Sequence, residues 1–356
     1  MFVTIALPVT FLMSVITIYL FTPVAVKVGL VDKPGGHKEH EDHVPLVGGL
    51  AIYSGVLMAW FLLPWLGGGT MNSIFLAAGV LLFTIGLADD RFDLSVKLRF
   101  GVQIVAALML VYSNVVLADL GYIQSGKLFT LGIFAIPVTV FATLSAINAM
   151  NMMDGIDGLA GLVSIAILAP ILVVSYVSAN LIHILLVLCL MGAVGGFLLF
   201  NLHWKGRSTA HIFMGDAGST LLGFLFATLL ISLAQGEHRA MPPVTALWLF
   251  AIPLMDSAGV MLRRALHRRS PFTADRGHLH HLLLDAGFSV HQVVLFIALL
   301  QLALGAVGLV GCYLHISESI SFVSFLVVLS AYIYLVIRPW RVVPMMRALH
   351  QKFSKV

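Results

Sequence analysis

Long apolar stretches separated by short polar segments run through the whole chain. They occur at about 3–26, 46–66, 71–88, 100–118, 129–149, 158–178, 181–201, 212–234, 243–262, 291–312 and 319–337. A helix needs about 20 apolar residues to cross the hydrocarbon core of a bilayer. Only helices and closed barrels satisfy their backbone groups there. The pattern therefore predicts an all-α polytopic membrane protein of about 11 transmembrane helices. Residues 1–337 form one polytopic domain, and 338–356 form a basic tail. The first run has no Lys or Arg before it and Lys27 after it, so it reads as a span rather than a cleaved signal peptide.

Composition narrows the class. Charged residues make up 10% of the chain, against about 25% in a soluble domain, and the mean hydropathy is +1.03. A soluble enzyme, a disordered protein and a soluble nucleic-acid binder are excluded, so no nucleic-acid partner is expected. Cys189 and Cys312 both lie in apolar runs, which leaves neither a disulfide framework nor a Cys-based zinc site.

Charge then sets the orientation. An odd number of spans puts the termini on opposite sides. Eighteen Lys and Arg fall on the side of the loop after the first span, and only Lys127 and Arg239 on the other. The positive-inside rule makes the first side cytoplasmic, with the N-terminus outside and the C-terminus inside. Most acidic residues and histidines follow the same face, although acids contribute little to topology. Any chemistry is expected at the cytoplasmic loops 27–45, 89–99, 150–157, 202–216 and 263–290.

Five polar segments stand out there. The pair Asp89-Asp90 ends the third run, where a carboxylate opposes the helix dipole. Adjacent like charges persist where a cation or a proton-transfer role offsets them. In Asn148-Ala-Met-Asn151-Met-Met-Asp154-Gly-Ile-Asp157-Gly158-Leu159, polar residues recur every third position. On one continuous helix Asn148 would lie opposite Asp157, so the glycines mark a break at which these groups converge. Asp157 can alternatively cap the next helix. Asn201 precedes Phe213-Met214-Gly215-Asp216-Ala217-Gly218-Ser219. There Asp216 reads either as an N-cap or as a cation ligand beside a phosphate-binding helix start.

The loop 263–290 holds Arg263, Arg264, Arg268 and Arg269, then Asp275-Arg276-Gly277-His278-Leu279-His280-His281. The arginines suit topology and lipid headgroups, or phosphate. The first inner loop offers His37, Lys38 and His40 as anion contacts. Its acids Glu39, Glu41 and Asp42, and the relative scarcity of basic residues, weaken it as a phosphate clamp. Asp256 lies inside a span, where it either ties helices together or supports the site. Carboxylates, amides and cations at one face suggest metal-assisted phosphoryl transfer, with a lipid as one substrate. A secondary transporter built on Asp256 is the remote alternative, but no internal repeat is visible.

The Asp89-Asp90 pair, the run from Asn148 to Leu159, Asn201 with the Phe213–Ser219 run, and His278-Leu279-His280-His281 resemble the polyprenyl-phosphate N-acetylhexosamine-1-phosphate transferases. The resemblance spans nearly the whole chain in the same order. Val-Gly-Leu-Val-Asp-Lys-Pro at 28–34 and Ser-Pro-Phe at 270–272 resemble the bacterial branch that uses N-acetylglucosamine. The resemblance implies a reaction of UDP-N-acetylglucosamine with undecaprenyl phosphate at the bacterial inner membrane. The products are undecaprenyl-pyrophosphoryl-N-acetylglucosamine, a starting lipid for a cell-envelope glycan, and UMP. The same chemistry with another UDP-N-acetylhexosamine is the alternative.

The resemblance also implies Mg2+, or Mn2+, held by Asp216 and Asn151 with Asp90 nearby. It assigns Asp89 and Asp90 to catalysis, Asp89 as the base that keeps the lipid phosphate ionised. Asp154, Asp157, Asn201 and Phe213 would hold the nucleotide. Arg264, His278, His280 and His281 would bind pyrophosphate or sugar. A homodimer is implied by analogy, and both direct attack and a covalent intermediate stay open.

Overall fold

A computed structural model describes residues 3–32, 44–66, 70, 72–124, 126–202, 209–237, 239–268 and 277–353. His37, Lys38, His40, Arg269, Ser270, Pro271, Phe272, Asp275 and Arg276 lie outside these residues.

Fourteen helices follow one another among the described residues. They are α1 (Ala6–Val28), α2 (Gly48–Trp65), α3 (Ser73–Phe92), α4 (Val96–Tyr112), α5 (Ala135–Met153), α6 (Leu159–Val177) and α7 (Leu181–Asn201). After them come α8 (Gly215–Ala234), α9 (Pro243–Leu249), α10 (Ala251–Leu266), α11 (Leu279–Asp285), α12 (Val290–Tyr313), α13 (Glu318–Ile337) and α14 (Pro339–Phe353). Two two-residue strands, β1 (Val31–Asp32) and β2 (Val44–Pro45), pair antiparallel at the base of the first inner loop. The chain is an all-α polytopic membrane protein. Nine of the described helices are long and apolar enough to cross a bilayer, and ten if α9 and α10 count as one bent span.

Local chemistry starts and stops these helices. Asn72, Ser95 and Asn180 cap α3, α4 and α7 by accepting backbone N–H groups of the first turn. Ser289 and Gln292 form a reciprocal capping box on α12.

α8 is the axis of the bundle. Fully 94% of its most apolar window is buried, against 22% for α1 and 17% for α13, whose outer faces suit lipid. α2, α3 and α5 pack around it. Small residues permit this approach. A Cβ on Gly223 would stand 2.5 Å from the Ile147 Cα, and one on Gly49 would stand 2.6 Å from the Gly218 amide nitrogen. Helices in lipid associate through such close backbone contacts because burial from water is unavailable as a driving force.

Two elements differ from the sequence pattern. The run at 100–118 holds a helix only to Tyr112, and the described residues 113–124 and 126–131 form a connection with isolated bridges at the end of the bundle away from the start of α4. The run at 243–262 is broken rather than continuous: α9 and α10 meet at 80°. Pro253 explains the break, since a proline withholds the N–H that Leu249 O would otherwise receive. Gln301 of α12 supplies the substitute. Its Nε2 donates to Leu249 O (2.8 Å) and its Oε1 accepts from Ile252 N (2.8 Å). Non-helical backbone at membrane depth is tolerated where protein groups satisfy it in this way.

Candidate active site

The ends of α3, α5 and α10, the starts of α4 and α8, and α11 surround a cavity of about 640 Å³. Asp89, Arg99, Gln103, Asn148, Asn151, Asp154 and Asp216 line one side; Arg264, His278, His280 and His281 line another. Between them lies an apolar wall that includes Phe100, Phe141, Leu144, Leu254 and Met261. Phe141 is 72% exposed, so this wall continues onto the surface that faces lipid.

Asp216 is at the second position of α8, and its own side chain does not cap the helix. Asn151 Nδ2 donates to its Oδ1 (2.5 Å) and to Ser219 Oγ (3.2 Å). Arg99 Nη1 reaches its Oδ2 at 3.2 Å and Asp89 Oδ2 at 2.7 Å, so one guanidinium bridges two carboxylates. Asp89 is buried and also accepts from Leu94 N at 2.7 Å.

Asp90 has a different task from its neighbour. Its Oδ1 accepts from Asp216 N (2.7 Å) and its Oδ2 from Ala217 N (3.2 Å). A carboxylate at the end of α3 thus caps the start of α8, where the helix dipole favours negative charge. It does not line the described cavity, although the sequence reading placed it with the metal.

The run from Asn148 to Leu159 does break at its glycines. α5 ends at Met153, and Gly158, at φ +83°, opens α6 in a left-handed conformation. This turn separates the expected nucleotide ligands. Asp154 lines the cavity. Burial, with Asp216 and then Asp157 nearby, pushes its carboxyl up to about 7. Asp157, Asn201 and Phe213 lie outside the described cavity and brace it. Asp157 Oδ2 accepts from Ala210 N at 3.2 Å. Buried Asn201 accepts from Gly158 N at 2.7 Å and donates to Ile212 O at 2.8 Å. The Phe213 backbone bonds Pro45 O and Gly48 N, both at 3.0 Å.

The three histidines cluster. His278 stands just before α11, its ring parallel to that of His280 with centroids 5.4 Å apart. His280 and His281 centroids are 4.3 Å apart. His280 is 1% exposed and neither ring nitrogen has a hydrogen-bond partner. Burial, with His281 adding to it, depresses its pKa to about 3, so the ring is neutral. A buried polar group without a partner marks strain or a place for a ligand.

The profile of glycosyl transferase family 4 matches residues 72–234. The undecaprenyl-phosphate alpha-N-acetylglucosaminyl 1-phosphate transferase of Salmonella typhi is 39% identical over 351 residues, 97% of this chain and 94% of its own length. The protein of that name from Escherichia coli (strain K12) is 38% identical over 348 residues, with the same coverage. The one from Haemophilus influenzae is 36% identical over 349 residues, 98% of both chains. This chain belongs to glycosyl transferase family 4.

The cavity of this family 4 transferase also contains groups that sequence reading missed. Arg99 counted only as an orientation charge, yet it is the cation between Asp89 and Asp216. A signal was present: a cation in the first turn of a helix opposes the dipole and calls for a nearby acid. Gln103, which accepts from Asn148 Nδ2 at 2.9 Å, carried no such signal.

Among the described residues no three His, Cys, Asp or Glu side chains converge as a ready-made metal cage. Mg2+ does not need one. It binds through one or two carboxylates and completes its shell with phosphate oxygens and water. Asp216 with the Asn151 amide oxygen, beside the uncompensated Asp154, fits a cation held jointly with a substrate phosphate.

Proposed function

We propose that this protein transfers N-acetylglucosamine-1-phosphate from UDP-N-acetylglucosamine to undecaprenyl phosphate, releasing UMP. A phosphate oxygen of the lipid attacks the β-phosphorus of the sugar nucleotide. The new P–O bond forms as the bond from that phosphorus to the bridging oxygen breaks, and UMP leaves with the bridging oxygen.

One observation carries this reading: an acid-and-cation cavity whose apolar wall opens toward lipid, in a chain with near-full-length relatives that bear that activity in their names. The lipid phosphate approaches between α4, α5 and α10, past Phe141 and Met261, and its isoprenoid tail stays in the membrane. Asp89 keeps that phosphate ionised. Little basicity is required, because the second pKa of a phosphomonoester is about 6. Arg264 and the three imidazoles hold the pyrophosphate or the sugar, the guanidinium suiting anionic oxygens. Asp154 contributes to the nucleotide site, while Asp157, Asn201 and Phe213 shape its floor. Asp216 and Asn151 would hold Mg2+, or Mn2+, which when bound neutralises charge on the pyrophosphate. Asp90 acts through α8 by fixing the position of Asp216.

The nine long helices, the bent α9–α10 pair and α4 make eleven spans in this reading. In this reading the cavity opens at the basic end, that end faces the cytoplasm at the bacterial inner membrane and the N-terminus is external, as the positive-inside rule supports. α14 then lies on the inner membrane surface.

The test is UMP release by the purified full-length protein in nanodiscs. Lipid-dependent, EDTA-sensitive release with UDP-N-acetylglucosamine is the expected result. Release only with another UDP-N-acetylhexosamine would overturn the donor, and no release with any donor would overturn the reaction.

A further inference from the structure

Asp256 sits midway along α10 and is 1% exposed. Three donors from two separate parts of the chain surround its carboxylate. His278 Nδ1 lies 2.7 Å from Oδ2. On Oδ1, the Leu279 N–H donates at 3.0 Å and the Tyr332 hydroxyl donates at 2.7 Å. Tyr332 belongs to α13 and is itself buried. A charge buried this deeply in a membrane protein marks a function or a tie between elements.

The chemistry of the contacts distinguishes the two. A carboxylate only accepts, so Nδ1 of His278 carries a proton. The other ring nitrogen, Nε2, is left for the cavity that His278 lines. The Leu279 N–H is the first of α11, a group that has no partner within its own helix. Asp256 therefore holds both the ring of His278 and the start of the short helix that carries His280 and His281. The parallel stacking of His278 on His280 passes that orientation to the second ring.

We propose that Asp256, backed by Tyr332, is a positioning residue of the transfer reaction. It fixes the His278 ring through Nδ1–H, which leaves Nε2 as an acceptor turned to the cavity, suited to receive a hydroxyl of the sugar nucleotide. This inference rests on the transferase reading above, and wild-type turnover in the same assay separates the two.

The experiment is a double-mutant cycle on the full-length protein in nanodiscs, read as kcat and as KM for each substrate. Loss of a group that orients a functional histidine costs about 10- to 100-fold by analogy with carboxylates behind metal-bound histidines. Asp256→Asn is expected to lower kcat/KM for UDP-N-acetylglucosamine by about 100-fold and Tyr332→Phe by about 10-fold, with the lipid KM unchanged. Asp256→Glu should recover part of the loss. In a His278→Ala background, either change should add less than about twofold, because residues acting through one another are not additive. Fully multiplicative losses, or wild-type turnover in Asp256→Asn, would overturn the proposal. Where Asp256→Asn does not accumulate, the Tyr332→Phe cycle decides on the same criteria. An inactive wild type would overturn the transferase reading and this inference with it.

Discussion

The two ends of the bundle treat charge in opposite ways. At the end away from the cavity Arg239 meets Asp119 at 3.3 Å and Glu318 at 3.5 Å. Each carboxylate also accepts a backbone N–H, from Gly121 at 2.8 Å and Tyr122 at 2.9 Å. Gln235 adds bonds to the backbone of Ala118 and Asp119. Each charged side chain of this cluster has a partner of opposite charge, and the cluster ties the connection after α4 to the end of α8 and the start of α13. At the cavity end Asp89 and Asp216 share Arg99, burial pushes the Asp154 carboxyl up to about 7, and His280 is buried without a hydrogen bond. Matched charges stabilise the fold. Mismatched ones cost stability and persist where a ligand completes them.

This contrast can be broken in order of effect. The largest is Asp216→Asn, which should cut UMP release by about a hundred- to a thousandfold, the range for losing a preorganised electrostatic group. Its melting temperature in detergent should match or exceed that of wild type. A large loss of stability would place Asp216 with the structural charges instead. Arg99→Met should lose activity and also about 2 kcal/mol of stability, since it leaves two carboxylates without their shared donor. Unchanged melting would show that the bridge is dispensable.

Asp154→Asn tests the acid whose pKa is raised. Between its ordinary value near 3.8 and about 7, the native state holds a proton that the unfolded state has lost. That contribution is complete below the lower value and disappears as pH rises through the upper one. Asp154→Asn should therefore melt higher than wild type at pH 8, and the difference should vanish toward pH 4. A constant difference would contradict the raised carboxyl.

His280→Leu removes a buried imidazole that cannot protonate in place. Unfolded histidine takes up a proton below about 6.5, whereas the native ring does so only near 3. Wild type should lose stability relative to the variant as pH falls through that window, while the variant turns over poorly. Parallel acid limbs would refute the neutral ring. The smallest effect belongs to Arg239→Ala, at about 1 kcal/mol of stability, with turnover per folded molecule unchanged. A selective loss of turnover would extend the functional region to that end of the bundle.

Much of the fold was legible because lipid as a solvent imposes a simple rule: each span must be apolar and helical. The all-α class follows from that rule, and so does the end at which polar chemistry gathers. What the pattern missed depends on packing. α4 stops early because the apolar residues after Tyr112 form a connection. The 243–262 run hides an 80° bend, since Pro253 alone does not say whether a distant Gln301 will satisfy the freed carbonyl.

The site divides in the same manner. Asp89, Asn151, Asp154, Asp216, Arg264, His278, His280 and His281 stand together at the cavity. Asp90 could not be separated from Asp89 by sequence. Adjacent side chains on a helix point about 100° apart, and only the placement of α8 determines which one meets its first turn. Tyr332 was invisible as a site residue for the same reason, and the signal at Arg99, a cation in a helix's first turn, did not say which acids it would meet. Composition and short-range pattern thus determined the solvent, most of the helices and the end at which polar residues gather, while the motifs carried the resemblance to the family. Tertiary structure decided which polar groups face one another, because a hydrogen bond or ion pair depends on a few tenths of an ångström between segments that the chain brings together only on folding.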